Sequence, residues 1–188
     1  MKIVVYTIAL NEEQFVERWT QSAAEADYLV VADTGSTDGT VEKLRAAGVI
    51  VHTINVKPWR FDHARNASLA LLPADADVCI ALDMDEILMP GWRQTLEEAW
   101  SPETTRMRYT YIWNWDKNGK PKTHFFGEKI HHRHGYTWKH PAHETIYPLT
   151  GTSERMPLIG TNCAPRTCAS GAPYSSPAKT RSIGRATM

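Results

Sequence analysis

No surplus of charge of either sign exists in this 188-residue sequence, in which 21 Lys and Arg are matched by 21 Asp and Glu. Nucleic acid and anionic membrane surfaces attract proteins through excess cations, so neither is an expected partner. Long hydrophobic runs are missing too. The longest, Ile3-Val4-Val5-Tyr6 and Tyr28-Leu29-Val30-Val31-Ala32, fall far short of the roughly 20 residues that a membrane span needs. No basic segment followed by a leader-like stretch opens the chain. Cysteine is scarce and odd in number: Cys79 lies in an apolar run, and Cys163 and Cys168 lie in a polar stretch. Neither a disulfide framework nor a zinc knuckle fits that spacing, and Cys79 reads as a small buried hydrophobe. The expectation is a soluble cytoplasmic protein of one globular domain with a short appendage.

What is present is an alternation of strand and helix signals. Lys2 to Leu10 is an apolar β-prone run, and Asn11-Glu12-Glu13 then supplies a cap and first-turn acids before Phe15, Val16, Trp19 and Ala23 at helical spacing. Tyr28 to Ala32 reads as a strand, Thr34 to Gly39 as a turn-rich loop, and Val41 to Ala47 as a helix ended by Gly48. Val49 to Ile54 reads as a third strand and Asp62 to Leu72 as a helix stopped by Pro73. Val78 to Leu82 follows as a fourth strand, and Pro90 opens a helix carrying Trp92, Leu96 and Trp100. Strands apolar on both faces, alternating with helices, predict an α/β fold: a Rossmann-like, mostly parallel sheet flanked by helices. After Pro102 the texture changes. Met107, Tyr109, Tyr111, Trp113 and Trp115 alternate with other residues, and Lys117-Asn118-Gly119-Lys120 offers a hairpin turn, so the C-terminal half is predicted β-rich.

From about Thr161 the sequence is dominated by Pro, Ser, Thr, Ala and Gly, with charge only from Arg166, Lys179, Arg181 and Arg185. A domain over 1–160 followed by a polar, disordered or truncated tail over 161–188 is the expected organisation. Those four cations, without acids, leave the body acidic by the same amount.

The sharpest local feature is Leu82-Asp83-Met84-Asp85-Glu86, directly after the fourth strand. In an extended segment residues two apart point the same way, so Asp83 and Asp85 converge while Met84 faces the other side. Two carboxylates aimed at one point repel each other unless a cation sits between them, and a hard divalent ion such as Mg²⁺ or Mn²⁺ would resolve that conflict. An isolated Asp-x-Asp is commonly a plain acidic turn. The carboxyl end of a central parallel strand, however, is where such sheets bind ligands. Asp33, at the end of the second strand and before Thr34-Gly35-Ser36-Thr37-Asp38-Gly39, is a further acceptor, with Thr37 or Asp38 as the helix cap. Arg65 lies on a helix whose apolar stripe includes Leu69 and Leu72, which would bring its guanidinium over the sheet edge. The histidines at 131, 132, 134, 140 and 143 match no standard zinc spacing. Glu144, among histidine and aromatic residues, has the setting of a general base.

Taken in order, these segments resemble the family 2 glycosyltransferases of the GT-A fold, in particular a compact bacterial branch. Asn11-Glu12-Glu13 is similar to the end of that branch's opening strand, and Asp33 to Thr40 to its Asp-x-Gly-Ser-Thr-Asp-Gly-Thr segment. Ala64-Arg65-Asn66 resembles its Ala-Arg-Asn, Leu82 to Glu86 its Leu-Asp-Ala-Asp-Glu, and His143-Glu144 the His-Glu closing its catalytic region. The resemblance implies a nucleotide-diphosphate sugar donor, a UDP-sugar foremost, with Leu10, Glu12 and Asp33 around base and ribose and Arg65 near base or diphosphate. It implies Asp83 and Asp85 as the Asp-x-Asp that holds ribose and a Mn²⁺- or Mg²⁺-bound diphosphate. Glu144 would be the catalytic base of an inverting transfer to an acceptor hydroxyl on a glycan, lipid-linked sugar or protein. Family members commonly continue with further helices where this chain turns polar. A catalytically impaired nucleotide-sugar-binding module is therefore the alternative. A nucleotidyltransferase would carry a glycine-rich, lysine-bearing loop after its first strand, which Leu10-Asn11-Glu12-Glu13 is not.

Overall fold

A computed structural model describes residues 1–164. Strand β1 (Ile3–Ala9) is central, and its alternate residues enter two separate cores. Ile3 and Val5 pack with Trp19, Leu44 and Leu96 on one face, while Val4 and Tyr6 pack with Leu69, Trp138 and Ile146 on the other. Burial on both faces explains why this strand is an unbroken apolar run.

Parallel to β1 lie β2 (Tyr28–Asp33) and β4 (Val78–Ala81), and β3 (Ile50–Thr53) is parallel to β2. The connecting helices are α1 (Val16–Ser22), α2 (Thr40–Ala46) and α3 (Phe61–Ala70), and α4 (Trp92–Ala99) follows the short strand β5 (Ile87–Leu88). Each lies within a residue or two of the position its apolar spacing predicts. Gly48, with φ of +79°, ends the second helix in the left-handed region that glycine tolerates.

The β-rich half extends the same sheet. Strands β6 (Arg106–Trp115) and β7 (Pro121–His132) form an antiparallel hairpin, and β10 (Leu158–Ala164) runs parallel to β6. The order across the sheet is β3-β2-β1-β4-β7-β6-β10-β5. β7 is antiparallel to β4 with Ile80 opposite Ile130, a register that carries Lys129 to the carboxyl end of β4. A second hairpin, β8 (Tyr136–Lys139) with β9 (Thr145–Pro148), covers α3. β10 crosses Thr161, where the composition changes; the remainder of the polar tail, with Cys168, lies outside the described residues. Among the described residues no helix is long and apolar enough to cross a membrane.

A buried polar chain pins the two halves together. Trp138 Nε1 donates to the Tyr6 hydroxyl at 3.0 Å, that hydroxyl is 3.0 Å from His131 Nε2, and His131 Nδ1 is 2.8 Å from the carbonyl of His132. A carbonyl can only accept, so Nδ1 carries the proton and Nε2 accepts from Tyr6. Burial pushes the His131 pKa down to about 3, so the ring is neutral. One member of the histidine-rich stretch thus has a structural place between β1, β7 and β8.

Candidate active site

The carboxyl ends of β1, β2 and β4 open on one edge of the sheet, and the loops there are tied to one another. Asn11, held at φ of 56°, donates its N–H to Ser36 Oγ at 2.9 Å and accepts from the Thr37 N–H at 2.8 Å. The Glu12 N–H donates to Thr40 Oγ1 at 2.8 Å, and Glu13 Oε2 accepts the Gly39 N–H at 2.8 Å. A Cβ on Gly39 would stand 2.5 Å from that same carboxylate oxygen, so a larger residue there would push the Glu13 side chain aside. Leu10 is left exposed at the rim. Asp38, rather than Thr37, serves the start of α2, accepting the Thr40 N–H at 3.0 Å.

Asp33 is 3% exposed and commits its carboxylate to its own loop, accepting the N–H of Gly35 at 3.0 Å and of Ser36 at 3.1 Å. From sequence it reads as an acceptor left over at the strand tip. In the fold its first task is to shape the turn, as aspartate commonly does two and three residues ahead of itself.

The acidic segment is a turn and not an extended strand, because the Glu86 N–H closes onto the Asp83 carbonyl at 2.9 Å. Glu86 Oε2 accepts the Asp83 N–H at 3.0 Å, and Arg18 Nη2 donates to the Asp85 carbonyl at 2.8 Å, which fixes both ends. Met84 is buried in the α1/α4 core, opposite to the partly exposed Asp83 and Asp85.

Asp83 meets two cations. Its Oδ1 accepts from Arg65 Nη2 at 2.5 Å and its Oδ2 from Lys129 Nζ at 2.7 Å, while Lys129 also reaches Glu86 Oε1 at 3.1 Å. Burial alone would raise the Asp83 pKa, but the charges of Lys129 and Arg65 outweigh it and hold the carboxyl below the usual carboxylate range. Glu86 goes the other way: burial, helped by the Asp83 charge, raises its pKa against the pull of Lys129. Lys129 itself is held above the ordinary lysine value, the attraction of both carboxylates outweighing its burial.

Arg65 is the hub. Besides Asp83 it donates through Nε to Glu144 Oε1 at 2.9 Å, and its guanidinium lies 5.2 Å from the Trp138 ring centroid. The remaining nitrogen, Nη1, is buried without a hydrogen-bond partner among the described residues, as are Arg18 Nε and Arg106 Nη2. The adjacent Asn66 holds β8 as a backbone surrogate, its Oδ1 accepting the Trp138 N–H at 2.9 Å and its Nδ2 donating to the Trp138 carbonyl at 2.8 Å. Successive residues of Ala64-Arg65-Asn66 therefore fill the core, the site and the support of β8.

Of the residues singled out from sequence, Arg65, Asp83 and Glu144 come into direct contact, and Asp85 shares their turn. Leu10, Glu12 and Asp33 lie at the neighbouring strand ends in the loop clasp. Glu144, next to His143 in the chain, pairs with the Arg65 guanidinium and lines a cavity with Trp138. Glu86 and Asn66 belong to the acidic run and the Ala-Arg-Asn segment, but sequence gives neither a role, and Lys129 carries no signal of its own. Lys129 is absorbed in the histidine-rich run, and only the β4–β7 register brings it to Asp83.

Asp83, Glu86 and Glu144 set three carboxylates against the two cations Lys129 and Arg65, with Asp85 on the same turn as Asp83. No group of three or more metal-ligating side chains occurs among the described residues. Mg²⁺ and similar ions in phosphate-handling sites are typically held by one or two carboxylates together with the substrate's phosphates, so this donor set fits such an ion.

Residues 4–157 match the family model described as glycosyl transferase family 2. A similar protein is the lipopolysaccharide core biosynthesis glycosyltransferase LpsC of Rhizobium meliloti (strain 1021), 30% identical over 101 residues that cover 52% of this chain and 37% of that protein. Solved structures similar to this chain include glucosyl-3-phosphoglycerate synthase from Mycobacterium tuberculosis in complex with Mn²⁺, uridine diphosphate and phosphoglyceric acid. That one has 27% identity over 58% of this chain and 43% of that chain, with a TM-score of 0.49. The same protein with Mg²⁺ and uridine diphosphate gives 25% identity over 58% and 43% of the two chains, with a TM-score of 0.46. The matched region thus spans less than half the length of each of these proteins.

Proposed function

Because the chain belongs to glycosyl transferase family 2, we propose that it transfers a sugar from a nucleotide-diphosphate donor, a UDP-sugar in our reading, to an acceptor hydroxyl with inversion at the anomeric carbon. The observation that carries this reading is the contact chain Asp83–Arg65–Glu144, which couples an acid at the end of a parallel strand to a carboxylate 61 positions later through one buried guanidinium.

In this reading Leu10, Glu12 and Asp33 border the base and ribose, and Asp83 accepts from a ribose hydroxyl. Arg65, which lies between Asp83 and Glu144, supplies positive charge beside the diphosphate and so orients the donor. Glu144, one oxygen tied to Arg65 Nε, takes the acceptor's hydroxyl proton. The acceptor oxygen forms its bond to the anomeric carbon while the bond from that carbon to the diphosphate oxygen breaks, its electron pair leaving with the diphosphate. Asp85, with Asp83, would hold Mn²⁺ or Mg²⁺, which when bound supplies Lewis-acid charge for the leaving group. We also propose a cytoplasmic setting, in which the buried thiol of Cys79 stays reduced.

A thermal-shift panel of UDP-, GDP- and dTDP-sugars with and without Mn²⁺ tests the donor class, since a ligand that binds only the native state raises its melting temperature. Metal-dependent stabilisation by one nucleotide class is expected, with slow donor hydrolysis in the same tubes. Binding without hydrolysis or transfer would instead mark a nucleotide-sugar-binding module, and no stabilisation by any donor would overturn both readings.

A further inference from the structure

Glu144 and Lys129 line a cavity of about 240 Å³ together with five aromatic side chains, Tyr109, Tyr111, Phe125, Phe126 and Trp138, and with Glu128, Thr145 and Ile146. That space is of the size class of one sugar ring. The wall does not stop at the cavity. The Phe125 ring, 49% exposed, lies 4.6 Å from Tyr111 and 6.4 Å from Trp113, itself 54% exposed farther along β6. These three rings are tilted to one another by 33° to 42°, so they form a curved strip and not an edge-to-face cluster. Gly127 belongs to the same surface: a Cβ there would fall 2.4 Å from the Tyr109 ring, so the ring lies across the strand only because the side chain is missing.

Resting on the proposed transfer, we infer that this cavity and its aromatic strip are the acceptor site, and that the acceptor is an uncharged sugar ring at the non-reducing end or a branch point of a glycan longer than one residue. Whatever occupies the cavity presents its hydroxyl to Glu144, which lines it. The C–H faces of a pyranose are apolar and slightly positive and match the negative faces of aromatic rings, while its hydroxyls need a few polar groups at the edge. Charge argues against a phosphorylated acceptor. Lys129 is the sole cation among the described residues lining the cavity, and it is already paired with Asp83 and Glu86. Glu128 and Glu144 add two carboxylates, Glu128 paired with Arg106 and Arg108 and Glu144 with Arg65. Among the described residues no unpaired cation lines the cavity to offset a phosphate. Beyond the cavity the strip continues to Trp113, two residues past Tyr111 on β6 and so about 7 Å farther at 3.3 Å per residue, room for one more sugar ring.

The test is binding of the full chain, in the presence of UDP and Mg²⁺, to a glycan microarray and then by calorimetry to the best oligosaccharide and its monosaccharide, with 3-phosphoglycerate and phosphatidylcholine vesicles as other arms. The inference predicts oligosaccharide binding that weakens at least tenfold in Trp113→Ala and in Phe125→Ala while UDP affinity is unchanged. Trp59→Ala, an exposed aromatic outside the cavity, should change nothing. Melting curves of each variant separate lost binding from lost fold. If UDP binds but no glycan does, or if 3-phosphoglycerate or vesicles bind in place of glycans, the inference is wrong and the proposed transfer stands. Dimerisation abolished by Trp113→Ala without glycan binding would equally overturn it, assigning the strip to a second copy. Loss of UDP binding by the unaltered chain would strike the proposed function itself.

Discussion

Arg65 Nε reaches Glu144 Oε1 at 2.9 Å while its Nη2 reaches Asp83 Oδ1 at 2.5 Å, so a single guanidinium fixes the distance between the two carboxylates. A planar fork does this in a way an ammonium cannot, because its donors keep their mutual angle. Arg65→Lys retains the charge and loses the second contact. Transfer should fall by about 100-fold, in the range that misplacement of reacting groups costs. Arg65→Ala also strips a partner from two poorly exposed carboxylates and should lower stability by about 3 kcal/mol, less than a fully buried pair loses because Asp83 keeps Lys129. Urea unfolding alongside kinetic assays separates the two effects.

Asp85→Ala should abolish transfer while the fold persists. Its turn is closed by the backbone contact from Glu86 to Asp83 and by the Arg18 contact to the Asp85 carbonyl, and both contacts survive the substitution. Near-normal turnover in this variant would remove the proposed metal role.

Glu144→Gln keeps an oxygen for Arg65 Nε and loses the capacity to take a proton. Donor affinity by calorimetry should be unchanged, and turnover should drop by about 100- to 10,000-fold, the usual worth of a general base. An undiminished rate would place the base on another residue.

Asn66→Ala removes contacts to the Trp138 N–H, the Trp138 carbonyl and the Thr137 hydroxyl. At about 1 kcal/mol net for each, with unsatisfied groups left near the core, the loss should be about 2–4 kcal/mol. Because β8 carries Trp138 and leads to Glu144, turnover should fall as well. Asn66→Asp, which keeps one acceptor, should recover part of the stability.

Stability should also fall on acidification below neutrality. His131 is neutral when folded, with its pKa depressed to about 3, so the unfolded chain takes up its proton first. The stabilising contribution is complete above the unfolded value of 6.5 and is lost as pH falls towards 3, at about 1.4 kcal/mol per pH unit. Urea midpoints at pH 7 and pH 5 should therefore differ for the natural chain, and the difference should shrink by about 2 kcal/mol in His131→Gln. An unchanged pH slope in the variant would show that other groups carry it.

Local rules captured the elements well because the first hundred residues obey them. β1, β2 and β4 are short apolar runs bounded by turn residues, and α1 to α4 follow apolar spacing, with glycine or proline close to an end of α2, α3 and α4. Register was not legible. That Ile80 faces Ile130, and hence that Lys129 meets Asp83 and Glu86, follows from long-range pairing across the sheet that no local pattern encodes. Likewise Asn66 reads as a helix residue of indifferent propensity until β8 lies beside it. The Asp83–Glu86 turn shows a local rule failing: alternation was assumed where a carboxylate three residues on could cap the chain and bend it.

The central claim is that the Asp83–Arg65–Glu144 site, with a divalent ion at Asp85, displaces a diphosphate from a sugar with inversion. Proton NMR of the anomeric signal, followed in Mg²⁺ with the donor selected by thermal shift, reads this directly. An α-linked donor should yield a β-linked or free β-anomeric product, and Asp85→Ala should yield none. Retention of the α configuration, or the same product at the same rate from the variant, would contradict it.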